Sequence, residues 1–149
     1  MRFIITSTTA QTAATPDAGK HNEDEGFDES TFIAYMKFNE DMQRAGVLVA
    51  AEGLLPGTPG ARVAVSGGRR TLVDGPFAES KELVGGFYVI DVPSLEEAKA
   101  WAMRCPVGMA SAEVLEIRQL TGAENLPQAL LDLAASVAPT WTATFSKRK

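Results

Sequence analysis

The chain reads as short apolar runs set between polar stretches, and the spacing within each run predicts its element. Arg2 to Thr8 (RFIITST) is β-branched and aromatic enough for a first strand. Thr9 to Gly26 follows without periodicity, with Pro16, Gly19 and the cluster His21-Asn22-Glu23-Asp24-Glu25. That predicts a loop of eighteen residues, a length usually tied to function or poor order. A helix is expected from Asp28 or Ser30, with Phe32, Tyr35, Met36, Met42 and Ala45 recurring at helical spacing and Gly46 as its left-handed cap. Val47 to Ala51 is a near-continuous apolar run, expected to be a buried strand that ends at Glu52.

Two strand-like pieces, Ala61 to Ser66 and Arg69 to Val73, flank Gly67-Gly68 and predict a hairpin, because both turn residues can take positive φ. Asp74-Gly75-Pro76-Phe77 then reads as a turn, and Gly86 to Val92 as the clearest strand of the chain. Ser94 caps a second helix that carries Leu95, Ala98, Trp101 and Ala102 on one face and stops at Pro106. Ala112 to Leu120 is the last strand, half-exposed. Pro127 to Val137 is an apolar helix-like stretch, and Lys147-Arg148-Lys149 is a basic end. The order is strand, helix, strand, hairpin, strand, helix, strand. It predicts an α+β ferredoxin-like sandwich with an inserted β-hairpin over residues 1–120, followed by a helical extension over 121–149. One helix per half covers one face of the sheet, so the other face calls for a homodimer partner.

Composition narrows the function more by exclusion than by assignment. The 149 residues are 45% hydrophobic and 22% charged, ordinary for one globular domain. A net charge of −5 and a pI near 4.9 argue against nucleic acid and anionic membranes as partners. No apolar run approaches the ~20 residues of a membrane span, and the start lacks a secretory pattern. The single Cys105 forms no internal disulfide, which fits a reducing cytoplasm. No Walker loop, dinucleotide glycine motif or nucleophile elbow occurs, so no cofactor is expected. His21 with Glu23, Asp24 and Glu25 is crowded rather than spaced to converge on a cation, so no metal is expected either.

Val73-Asp74-Gly75-Pro76-Phe77-Ala78-Glu79-Ser80-Lys81-Glu82-Leu83-Val84-Gly85-Gly86-Phe87-Tyr88-Val89-Ile90-Asp91-Val92 closely resembles the signature of the YCII-related family, in its DGPF branch. The resemblance runs upstream through Ala45-Gly46-Val47-Leu48-Val49 and Glu52-Gly53-Leu54. Downstream it takes in Leu95 to Ala98, Trp101-Ala102, Arg104-Cys105-Pro106 and Val114 to Arg118. It implies a dimeric α+β barrel with a small-molecule cleft in each subunit. Some relatives look like small lyases or dehydrohalogenases that use a His–Asp pair. Branch members also keep company with extracytoplasmic-function sigma factors, which implies regulatory roles. The sequence departs from the His–Asp pair, since its one histidine, His21, lies in the acidic loop.

The candidate residues follow from chemistry at a strand end. Asp74 stands where a strand meets a turn, a place from which a carboxylate can project into a cleft as a general base; the alternative is capping of its own turn. Glu79 is grouped with it as catalytic. Lys81 and Glu82 follow as substrate-binding candidates, able to meet an anion and take a proton. Glu52, at the end of an apolar run, is a third substrate-binding candidate, expected to be buried and paired with Arg62 or Arg118. Cys105, at a helix C-terminus, reads as a small buried hydrophobe. Two functions stand side by side: acid–base chemistry of the lyase or isomerase kind on a small molecule, and a noncatalytic ligand-sensing or regulatory module. A dimeric scaffold using the apolar C-terminal stretch for attachment is a third.

Overall fold

The computed structural model describes residues 1–10, 29–54, 60–75, 82–107 and 113–145. Its strands are β1 (Arg2–Ala10), β2 (Leu48–Gly53), β3 (Ala61–Ser66), β4 (Arg69–Asp74), β5 (Glu82–Asp91) and β6 (Glu113–Gln119). Its helices are α1 (Glu29–Arg44), α2 (Leu95–Ala102), α3 (Gln128–Val137) and α4 (Pro139–Thr142), with a 3-10 turn at Ala123–Asn125. Four strands form one antiparallel sheet in the order β2-β5-β1-β6, while β3 and β4, among the described residues, pair only with each other. In that order β1 runs parallel to β2, with α1 crossing between them, and β5 runs parallel to β6, with α2 crossing. This is the α+β ferredoxin-like arrangement with a hairpin inserted between β2 and β5. The four-stranded sheet stays open and does not close on itself.

Alternation along the strands sets the core. Phe3 pairs with Ile90, and Ile5 pairs with Tyr88 and Ile117, so these side chains share one face. That face packs on Phe38 and Met42 of α1 and on Ala98 and Ala102 of α2, with Val92 and Cys105 completing the buried cluster. Ser94 caps α2 through a 3.2 Å bond that its Oγ accepts from the Glu97 backbone N–H. The hairpin turn and the end of α1 use glycine at positive φ, 55° and 76° at Gly67 and Gly68 and 69° at Gly46.

Several sequence expectations are corrected in detail. β1 continues past Thr8, with Thr9 and Ala10 pairing with Leu83 and Glu82, because β5 starts early enough to offer them partners. The buried stripe of α1 is centred on Phe38 and Met42, with Tyr35 packed against the core, while Phe32 and Met36 stay exposed. β2 is an edge strand with a register shift between Leu48 and Ala50, and half-exposed rather than buried. The remainder of the long loop, with His21, and the turn residues Pro76 and Phe77 lie outside the described residues. Among the described residues no helix is long and apolar enough to cross a membrane. α3 buries none of its residues and leaves Leu130, Leu133 and Val137 exposed.

Candidate functional site

A cavity of about 480 Å3 opens between α1 and the end of the sheet where β1 and β2 finish and β5 and β6 begin. α1 presents Phe32, Tyr35, Met36 and Asn39 to it, spaced three and four residues apart on one helix face. The sheet contributes Ser7, the β2 segment Ala51 to Gly53 and the β5 segment Gly85 to Tyr88. Glu113 and Leu115 of β6 form the far wall, and Cys105 and Val107 come from the turn after α2. Gly86 is needed where β5 passes β2, because a Cβ there would sit 2.7 Å from the Glu52 carbonyl oxygen.

Polar groups converge within this mainly apolar wall. The Tyr35 hydroxyl faces the Glu113 carboxylate, and the two interact. Burial, then the Glu113 charge, push the Tyr35 phenol up to about 12, so Tyr35 keeps its proton at neutral pH. Burial likewise raises Tyr88, with the neighbouring Cys105 and Tyr35 adding to the effect. Cys105 is pushed up to about 11 by burial, although the Val107 backbone N–H bonded to its sulfur pulls the other way. Its thiol is therefore protonated, which matches the reading of Cys105 as a small buried hydrophobe and not a nucleophile. Asn39 Oδ1 is buried and has no hydrogen-bond partner among the described residues. Tyr88 meets Phe38 edge-on at 5.5 Å and Phe38 lies tilted 6.2 Å from Trp101, so Tyr88 in the cavity wall is braced by aromatic rings behind it.

The residues singled out from the sequence are dispersed. Glu52 is in the cavity wall but exposed, and its register with Phe87 turns its side chain to the sheet face the helices leave open. The expected burial of Glu52 does not occur because β2 is an edge strand. Arg118, one of its suggested partners, lies 3.8 Å from Glu116 instead. Asp74 is exposed at the foot of the hairpin, opposite Ala61, and does not line the cavity. Glu82 begins β5 opposite Ala10. Glu79 and Lys81 lie outside the described residues. Among the described residues no three His, Cys, Asp or Glu side chains gather as a cation site. The Tyr35–Glu113 pair was not marked by sequence, since only the fold brings the middle of α1 to the start of β6.

Comparison with known proteins gives the family. The model of the YCII-related domain matches residues 1–121 of the 149. The chain belongs to the YCII-related family. It is 41% identical over 76 residues to an uncharacterised protein of Rhizobium meliloti (strain 1021), an alignment covering 51% of this chain and 61% of that protein. The chain thus spans about three fifths of that relative's length. Among solved structures it resembles 5-chloro-2-hydroxyhydroquinone dehydrochlorinase from Burkholderia phenoliruptrix AC1100 in complex with 2,5-dihydroxybenzoquinone, at 12% identity and a TM-score of 0.41. That match covers 85% of this chain and 100% of the other.

Proposed function

We propose that this YCII-related protein binds one small, mainly apolar molecule in the cavity of each subunit of a homodimer and moves a proton on it, in an elimination or isomerisation. The observation that carries this reading is the pairing of Tyr35 with Glu113 inside an apolar cavity wall. Glu113 is the base that receives a proton from the bound molecule, and Tyr35 steadies its carboxylate and stays protonated through the neutral range. The buried Asn39 Oδ1 is the acceptor for an N–H or O–H on the ligand, since a buried acceptor left alone costs about 1–3 kcal/mol. A volume of about 480 Å3 falls within the roughly 300–1,000 Å3 of small-molecule sites. Glu52 acts at the rim. The base role moves from Asp74 to Glu113 because Asp74 stands away from the lining. Glu79, Lys81 and Glu82 stay in the proposal as the charged residues that meet a polar group of the bound molecule.

The homodimer reading rests on the sheet face opposite the helices, where Val84 and Val114 flank Thr8 in register and remain exposed. A reducing cytoplasm suits the buried, protonated Cys105. A noncatalytic ligand sensor is the alternative, favoured by the neutral state of both Tyr35 and Cys105, which suits holding a molecule more than transforming it.

Native mass spectrometry of gently purified protein, then denaturing mass determination, tests binding: a dimer should release a small extra mass. Incubation of the loaded protein in D2O tests the chemistry. The wild type should add deuterium to the released molecule at carbon, and Glu113→Gln should retain the molecule without exchange. Retention without exchange in both proteins leaves the sensor; no retained mass in the wild type removes the cavity reading.

A further inference from the structure

Among the described residues, the β3–β4 hairpin forms a two-stranded sheet of its own, apart from the four-stranded one. Every residue of both strands is exposed. The register pairs Val63 with Leu72 and Val65 with Arg70, so these four side chains share one face. Val63, Val65 and Leu72 are 63%, 65% and 65% exposed there, a contiguous apolar strip left open to solvent. The other face carries Arg62, Ala64, Thr71 and Val73, which is more polar. A two-stranded hairpin alone in water is marginal at best and needs a third element on its apolar face. The tight Gly67-Gly68 turn fixes its register, so the strip is presented in one defined form.

We propose that this hairpin is an arm that lies on a second copy of the chain, burying Val63, Val65 and Leu72 in the dimer. The arm holds three arginines, Arg62, Arg69 and Arg70, against Asp74, whereas the whole chain carries −5; the basic arm suits the acidic body of a copy. The receiving surface is also in this chain. Val84 and Val114 lie exposed on the open sheet face, at the same sheet end from which the arm leaves β2 and returns to β5. The arm is therefore part of the sheet-face interface: it covers Val84 and Val114 at the end of that face, and the two sheets pair over the rest of it. A permanently exposed strip needs a permanent cover, and a copy is present at the protein's own concentration whenever the protein is. This inference rests on the homodimer reading but adds a separate claim, since sheet faces can pair without any arm.

Sedimentation of the full chain with Val65→Glu and Leu72→Glu together tests it. Both positions are exposed within one chain, so circular dichroism should match the wild type, while the dimer dissociation constant should rise at least tenfold. A second measurement places a photo-crosslinking side chain at position 72 in an equal mixture of 15N-labelled and unlabelled protein. Mixed-isotope crosslinks to the open sheet face are expected. A wild-type monomer would remove arm and dimer together. A dimer of unchanged affinity in the double variant, or crosslinks confined to one chain, would remove the arm and leave the sheet-face dimer standing.

Discussion

Tyr35, Tyr88 and Cys105 share one poorly hydrated neighbourhood and hold their protons more tightly than exposed counterparts. The consequence for stability has a definite sign. An acid whose folded value lies above its unfolded one binds more protons when folded, so stability is full below the unfolded value and falls as pH rises. Cys105 moves from 9.0 to about 11 and Tyr35 from 10.0 to about 12, so melting temperature should be level below pH 9 and decline between 9 and 12. In Cys105→Ala the onset should move toward pH 10, where tyrosine alone remains to titrate; an unshifted onset would assign the loss elsewhere. Asn39 separates binding from stability. Asn39→Leu removes a buried acceptor without a described partner, so the fold should hold or gain about 1 kcal/mol. The retained small molecule should nevertheless be lost in native mass spectra. Equal ligand retention in that variant would show that Asn39 is wall and nothing more. At this scale the sequence disclosed Cys105, whose place after a helix already argued for a protonated, buried thiol. It could not disclose Tyr35 with Glu113, because nothing local pairs two residues on different elements.

Periodicity located the elements well, and faces less well. The apolar spacing in α1 supports two overlapping stripes, Phe32–Tyr35–Met36 and Tyr35–Phe38–Met42, and only packing selects the second as core. Phe38 is buried and braces both Tyr88 and Trp101, so Phe38→Ala should cost about 3–5 kcal/mol in denaturant unfolding. Phe32→Ala, on the exposed stripe, should change stability by no more than about 0.5 kcal/mol while altering the cavity. β2 was overestimated in burial for a related reason: Val47 to Ala51 is as apolar as a central strand, but its place at the sheet edge depends on topology. The glycines were the most legible signals. Gly67-Gly68 announced the hairpin turn, and Gly86 marks a close approach with the opposite consequence on mutation. Gly86→Ala must push against the Glu52 carbonyl, which is backbone and cannot swing away, so amide hydrogen exchange should accelerate along Ala51 to Gly53. Unchanged protection of that segment would mean the two strands part without cost.

For the molecule as a whole, the element order alone was enough to derive the open sheet and one-sided helices. What surrounds that core was not, because exposed apolar faces are silent about what covers them. The segment after β6 shows this. It is tied to the core by a 2.8 Å bond that the Leu120 backbone N–H donates to the Arg2 carbonyl, and then α3 buries no residue. Trp141 and Phe145 meet edge-on at 4.7 Å, so α4 stacks on its own turn, while Leu130, Leu133 and Val137 face outward from α3. Helices that bury so little contribute little to the core's free energy. Deleting residues 121–149 should therefore shift the melting temperature by no more than about 4 °C and leave the cavity's ligand in place. It should also leave the dimer intact, because the sheet face and the hairpin that are proposed to build it both precede the cut. Loss of the dimer on truncation would move the interface to the apolar side of α3 and make the extension, rather than the sheet, the assembling element.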